Sequence, residues 1–414
     1  MRTTTGATSQ GDEAPSRPDA PAPGSARFAG VAARGVLEHV DLATPEGLAR
    51  LDGAGLWFVV LGFEGQGRAW RFAERLPAVS HGVTSHGVTS HGLTSDDVPE
   101  RMNDGAGGAE VAAAVGAAPD AGPGWAGPAP DAWTSSADER AYRAGVERVR
   151  DHVREGDVYQ VNLCRVLAAP LGPQGRAPDA GPGAEPGAEP SAQALADVLA
   201  GGNPAPYGGY VHVPAGSGVE PVWVVSASPE LFLRRDGATL TSAPIKGTAA
   251  HAAGLLPKDE AENIMITDLV RNDLQHVCDP GTVRVDRLLD VEEHPGLVHL
   301  VSTVSGTLRY GVTWADVLGA TFPPASVSGA PKSSALRIID ELEPVERGPY
   351  CGAVGWVDAD AGTAELAVGI RTFWWRDGVL RFGTGAGITW GSDPEGEWRE
   401  TELKAARLVR LASS

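Results

Sequence analysis

In the stretch TSSADERAYRAGVERVRDHVREGD, the apolar positions Tyr142, Val146, Val149 and Val153 recur on one helical stripe. Ser136 and Glu139 read as a capping box and Gly156 as a stop, so an amphipathic helix is predicted. The period then changes to two in VYQVNLCRV, a predicted strand carrying Gln160 and Asn162. Upstream, GLWFVVLGFEG reads as a strand and a turn, and residues 28–78 predict a small N-terminal α/β segment. Two later stretches share one plan: LFLRRDGATLTSAPIKGT (231–248) and TFWWRDGVLRFGTGAGIT (372–389). Each flanks an Asp-Gly pair, Asp236-Gly237 or Asp377-Gly378, with apolar strands, the chemistry of a two-residue hairpin turn, and runs on into a Gly-rich bend. YCGAVGWVDADAGTAELAVGIRT predicts a further hairpin, and helices are predicted at 257–278, 331–342 and 394–412. The last is capped by Ser392 or Asp393, with Pro394 near its first position. Tight turns rather than helical crossovers join the strands, which predicts an α+β chain with antiparallel sheet and disfavours a doubly wound parallel one.

Composition adds three segments too poor in apolar residues to order themselves by burial: a disordered tail at 1–27, a low-complexity loop at 79–132 and a flexible insert at 170–193. The loop holds the echo SHGVTSHGVTSHGLTS. Its His81, His86 and His91 read as a loop expansion rather than a metal site, because no acidic or cysteine ligands accompany them. With 42% hydrophobic residues, 414 residues can bury a large core, and the dense part begins at Trp133. A formal net charge of −19 repels phosphate backbones and anionic membranes, so no nucleic-acid or membrane partner is expected. Cys164, Cys278 and Cys351 lack CxxC spacing, which argues against a disulfide framework or a zinc site and fits a cytoplasmic location. Neither a secretory h-region nor an apolar run of about 18 residues occurs.

Candidate chemistry gathers around Lys246, a lone cation between an Ile-Pro kink and a Gly-Thr turn. An exposed strand-end lysine is one reading; a buried amine of depressed pKa, usable as a nucleophile, is the other. Glu230, in SASPELF, precedes the same hairpin and is placed to act as a general acid. Glu262 falls in line with Ile266 and Leu269, an acid on a largely apolar helix face. Glu397, Glu400 and Lys404 share a stripe of the last helix. First-turn acids complement the helix dipole; carboxylates on two inward-facing helices can also hold Mg²⁺. Gly383, Gly385 and Gly387 could turn backbone N–H groups toward an anion, although no Walker lysine accompanies them. Arg371 follows an apolar strand, where its guanidinium needs a partner such as a bound carboxylate.

Taken together, GDVYQVNL, SASPELFL, PIKGT, AENIMITDLVRNDL, HLVSTVSG, FPPASVSGAPK, YCGAVGW, IRT and EWRETELKA resemble the chorismate-utilising enzymes. These include anthranilate synthase component I, aminodeoxychorismate synthase component I, isochorismate synthase and salicylate synthase. The resemblance covers residues 133–412 in motif order. It implies an α+β fold whose large antiparallel or mixed sheets form a β-sandwich core flanked by helices, with 133–414 as the chorismate-binding catalytic domain. By resemblance, Lys246 is the amine that adds at C2 of chorismate as the 4-hydroxyl leaves, and Glu230 is the general acid. Mg²⁺ is implied, held through Glu262 and Glu400 with Glu397 adjacent. Arg371, Tyr350 and the backbone of Gly385 and Gly387 match positions around the enolpyruvyl carboxylate. His299 matches a catalytic position, and Gln160, Thr248 and Lys404 match positions that bind substrate.

Two positions separate the branches. Isochorismate and salicylate synthases resemble each other in a lysine base where this chain has Gln160, which cannot activate water. Anthranilate synthases resemble PIAGT, whereas PIKGT is the aminodeoxychorismate form. The resemblance therefore implies the aminase subunit of 4-amino-4-deoxychorismate synthase, serving 4-aminobenzoate and folate formation, with anthranilate synthase as the alternative. Without a Gly-x-Cys-x-Gly nucleophile motif, ammonia is expected from a separate glutamine amidotransferase chain. Gln275 and His276 stand where that branch often has Gly-Arg, and no Leu-Leu-Glu-Ser-type signature of a tryptophan site occurs in 28–78. An idle regulatory subunit and a Mg²⁺ phosphoryl-transfer enzyme are the readings from other classes, the latter weakened by the missing phosphate loop.

Overall fold

The strand predicted at GLWFVVLG buries all six of its residues because both of its faces are covered. Trp57, Val59 and Leu61 enter one apolar cluster, and Leu56, Phe58 and Val60 enter another. That division runs through the whole molecule. It is seen in a computed structural model that describes residues 21–77, 124–172, 189–249, 251–294 and 297–414.

The chain opens with β1 (Ala22–Phe28), β2 (Val31–Asp41), α1 (Pro45–Arg50), β3 (Leu56–Leu61) and β4 (Gly67–Leu76). Next come β5 (Thr134–Ser135), α2 (Glu139–Glu155), β6 (Gln160–Pro170), α3 (Ala192–Gly202), β7 (Tyr207–Val213), β8 (Val222–Ser228) and β9 (Leu231–Asp236). They lead to β10 (Thr239–Ala243), β11 (Ile245–Ala249), α4 (Pro257–Gln275), β12 (Arg284–His294), β13 (Leu297–Thr307) and α5 (Trp314–Thr321). The remainder is β14 (Gly329–Ala330), α6 (Lys332–Leu342), β15 (Ala353–Asp358), β16 (Thr363–Val368), β17 (Thr372–Arg376), β18 (Val379–Ile388) and α7 (Pro394–Ala412).

All pairings between these strands are antiparallel, in agreement with the expected class. They form one ladder in the order β6, β18, β17, β8, β7, β1, β2, β4, β3, β15, β16, β9, β10, β13. At its far end β11 also pairs with β13, and β12 lies along the opposite edge. Phe28, Phe58, Trp70, Phe72, Val211 and Val354 fill an interior between sheet faces, the expected sandwich. Helices cover the outside. Residues of α3 and α7 pack with Trp223, Phe373 and Phe382 in a second cluster, and Val146 of α2, Ile266 of α4 and Ile338 of α6 join the cluster under Trp57.

Several boundaries differ from the sequence reading. Residues 22–27, expected in the tail, belong to β1, which pairs with β2 and β7 through its backbone although Gly24, Ser25 and Ala26 carry almost no hydrophobic signal. Residues 28–78 hold β2, α1, β3 and β4, and β1 and β3 join this segment to the ladder at β7 and β15. Within the expected 79–132 loop, Trp125 is buried and donates from Nε1 to the Ala412 carbonyl at 3.1 Å. Residues 170–193 are ordered at both edges, since Leu171 is buried and Ser191 caps α3. His81, His86 and His91 lie outside the described residues. The cap of α2 is Asp138 rather than Ser136, whose hydroxyl accepts from Val166 N instead. Asp377 and Gly378 both have positive φ and form the expected β17–β18 turn, whereas the β9–β10 turn is shifted one residue, to Gly237 and Ala238. Cys164, Cys278 and Cys351 are free and buried. Among the described residues no helix is long and apolar enough to cross a membrane.

Candidate active site

The two ends of the ladder converge at Lys246. This residue lies in β11, where three steps from Ile245 to Thr248 are matched by only two from Val301 to His299. The extra residue is a bulge, with Gly247 at φ 83°, and bulges of this kind re-aim neighbouring side chains. Lys246 thereby reaches the other end of the ladder. Its Nζ stands 3.2 Å from the point a Cβ would occupy on Gly387 of β18, and the Gln160 amide of β6 lies closer still to that point. Burial lowers the lysine pKa, and Lys404 lowers it further. Glu262, Glu230 and Glu400 act in the opposite sense without cancelling the effect. The balance that sequence left open thus falls on the side of a lowered pKa.

Glu230 precedes β9 and is 3% exposed. Burial pushes its pKa up to about 7, against the Ser326 hydroxyl, the Lys246 charge, the Ile245 N–H and the Lys404 charge. A carboxyl that holds its proton near neutrality, beside an amine of lowered pKa, is an arrangement that can serve as an acid next to a nucleophile.

Glu262 of α4 and Glu397 of α7 are both held above the usual carboxylate range by burial, and each is pushed further up by the charge of Glu400. Burial also acts to raise Glu400, but Lys404, at 2.7 Å, together with Lys258 and Lys246 brings it below its ordinary value. Glu400 thus adds negative charge beside both buried carboxyls, and three carboxylates on two helices form an oxygen-donor set of the kind that suits Mg²⁺. Among the described residues, the trio of ligand atoms that already converges is instead His152, Glu155 and Asp157, two of them exposed acids.

Gly383, Gly385 and Gly387 are not a bend. They belong to β18 and pair with Val166, Cys164 and Asn162 of β6. Asn162 N donates to Ser328 O and Cys164 N to Glu343 Oε1, so both amides turn away from β18. The opposed Gly387 and Gly385 must then turn their own N–H groups away from β6, toward the edge that β17 stops covering at Phe382. Lys404 Nζ donates to Gly385 O at 3.0 Å on that edge. The missing side chains also make room: a Cβ on Gly383 would run into the Tyr350 ring, and one on Gly385 would sit 2.6 Å from Cys164 Sγ. Gly383→Ala is therefore expected to cost about 1–3 kcal/mol of stability through overpacking, read as a lowered urea midpoint at unchanged m.

Arg371 precedes β17 in the left-handed region at φ 53°, a strained backbone for a non-glycine residue. Burial and the charge of Arg407 lower its pKa to about 10. Among the described residues no carboxylate pairs with it, and its Nη2 lies 3.5 Å from His299 Nε2. A half-buried guanidinium in this condition can take an anionic ligand. His299 is 1% exposed and faces Thr248 across the ladder; the Thr248 side chain lies outside the described residues. Tyr350 is buried, and its phenol is pushed well above its ordinary value by burial and by Cys351 and Cys164.

Of the sequence-derived candidates, Glu230, Gln160, Gly387, Glu262, Glu400 and Lys404 lie around the Lys246 amine, Glu397 adjoins Glu400, Tyr350 lies against Gly383, and Arg371 and His299 adjoin β11. Sequence reasoning missed Ser326 and Lys258. Lys258 stands four residues before Glu262 on α4, a spacing that could have placed it on the same stripe. Ser326 carries no comparable signal, since a short turn brings it to Glu230.

Comparison with known proteins places the chain in a family. A family model described as chorismate binding enzyme matches residues 69–410. Anthranilate synthase component 1 of Streptomyces coelicolor is 38% identical over 289 residues, 67% of this chain and 52% of that protein. Aminodeoxychorismate synthase component 1 of Klebsiella aerogenes is 34% identical over 296 residues, 68% of this chain and 60% of that protein. The chain therefore spans little more than half the length of these relatives. Anthranilate synthase component I from Streptococcus pneumoniae superposes with a TM-score of 0.66 at 21% identity, covering 99% of this chain and 96% of that one, a likeness of fold.

Proposed function

The chain belongs to the chorismate binding enzymes, and from that membership we propose that it aminates chorismate at C4, as the aminase subunit of 4-amino-4-deoxychorismate synthase. The observation that carries this reading is the amine of Lys246, lowered in pKa by burial beside the raised carboxyl of Glu230. Ammonia displaces hydroxide from C4 poorly. The Lys246 amine instead adds at C2, the double bonds shift, and the C4–O bond breaks as Glu230 protonates the departing hydroxyl to water. Ammonia then attacks C4 and the lysine leaves C2, so one difficult substitution becomes two easier ones. Gln160, beside the amine, has no basic nitrogen with which to activate water at C2. Arg371 and the free-edge N–H groups of Gly385 and Gly387 bind and orient the carboxylates of the substrate.

Glu262, Glu397 and Glu400 would hold Mg²⁺, which when bound supplies positive charge for a substrate carboxylate. Glu400→Gln is expected to weaken Mg²⁺ binding about tenfold or more in calorimetry of the free protein, a loss on the scale of changes near a metal. A titration identical to wild type would remove Glu400 from the ligands. Ammonia would come from a glutamine amidotransferase subunit, a reading supported by the "component 1" in the names of the relatives.

The higher identity to an anthranilate synthase favours a second reading, formation of anthranilate and pyruvate. Mass analysis of products after incubation with chorismate, Mg²⁺ and an ammonium salt in mildly alkaline buffer separates the two. Aminodeoxychorismate supports the proposal; anthranilate with pyruvate, isochorismate, or no turnover rejects it.

A further inference from the structure

Behind Glu230 lies a small cavity that none of the other groups around Lys246 lines. Its polar wall is Glu230, Ser326, Ser242, Thr321 and Asp273, and its volume of about 20 Å³ accommodates a single water. Ser242 and Ser326 are buried, so the hydroxyls available to that water do not face bulk solvent. Asp273, in the same lining, retains 15% side-chain exposure and accepts from Lys332 Nζ at 3.0 Å. Lys332 also donates to the carbonyl of Thr321, another lining residue, at 3.2 Å, which holds the ion pair beside the cavity. The arrangement is a buried carboxyl, a site for one water, and a carboxylate that touches solvent.

We infer that this cavity is a proton path, delivering a proton from solvent at Asp273 through one water to Glu230 after each turnover. The inference rests on the proposed amination, in which Glu230 is the acid. The proton count requires such a supply. Glu230 gives its proton to the 4-hydroxyl, which leaves as water; ammonia then adds and departs with the product as ammonium, the lysine returning as neutral amine. Glu230 is left as carboxylate and must regain one proton from solvent. The charged groups facing Glu230 are Lys246 and Lys404, and those facing Asp273 are Lys332 and His276, so the ends of the path are biased from different elements.

Two variants test the path. Asp273→Asn removes the carrier, and Ser242→Val fills the cavity without touching the Asp273–Lys332 pair. Each is expected to lower kcat about tenfold, a fraction of a full general-acid effect, with KM for chorismate unchanged and the solvent deuterium isotope effect on kcat increased. Asp273→Glu is expected to recover most of the rate, an outcome that a purely structural defect at Asp273 does not predict. If Asp273→Asn does not fold, Ser242→Val decides alone. Wild-type kcat and isotope effect in the folded variants, with normal product from the wild type, overturn the path and leave the amination standing. No product from the wild type overturns both.

Discussion

Lys246→Ala is expected to lose at least about 10³-fold in chorismate amination, the scale on which removal of a covalent nucleophile acts, and to form no adduct with substrate. The cause is local. Lys246 is carried on a bulged strand, its pKa is lowered chiefly by burial, and it meets Gln160 and Gly387 at the opposite end of the ladder. In Lys246→Ala the amine is gone, while Arg371 and the glycine edge of β18 remain for the substrate carboxylates. Chorismate should therefore still bind, with a Kd close to that of wild type by calorimetry, and fail to react. Turnover at the wild-type rate would remove the lysine from the chemistry.

Glu230→Gln is expected to separate activity from stability. The amide cannot protonate the departing hydroxyl, so amination should fall by about 10²–10⁴-fold. Stability should move the other way. The folded pKa of Glu230, about 7, lies above the ordinary 4.5, so this acid contributes its full stability below about pH 4.5 and loses it as pH rises through 7. At pH 8 the buried carboxylate is ionised and costs the fold about 3 kcal/mol, which a neutral amide avoids apart from its weaker contact with Lys246. Denaturant melts at pH 8 should show the variant more stable by about 2–3 kcal/mol, with the gap closing toward pH 4.5. An equal gap at both values would mean that burial does not set the proton affinity of Glu230.

Much of this was legible in residue order because local rules governed it. The stripe from Tyr142 to Val149 is buried as expected, Gly156 ends α2 in the left-handed conformation, and Asp377-Gly378 makes the turn its chemistry favours. Lys246 and Glu262 stood out as charges on apolar elements, a conflict that a site resolves. What stayed hidden depends on distant pairing. Strand β1 is built of small residues and is held by β2 and β7, so its composition resembles that of a tail. The glycines of β18 looked like a bend because glycine marks turns; here they leave space for Tyr350, Cys164 and Gln160. Ser326 and Asp273 become meaningful only when the fold sets them around one cavity.

The central claim, covalent addition of the Lys246 amine to chorismate, is tested most directly by acid-quenching the chain during turnover with chorismate, Mg²⁺ and limiting ammonium and mapping its peptides by mass. A substrate-derived adduct is expected on the peptide containing Lys246, absent from Lys246→Ala and discharged when ammonium is added in excess. Rapid product formation with unmodified Lys246 at every quench time, and undiminished turnover by Lys246→Ala in the same experiment, would contradict it.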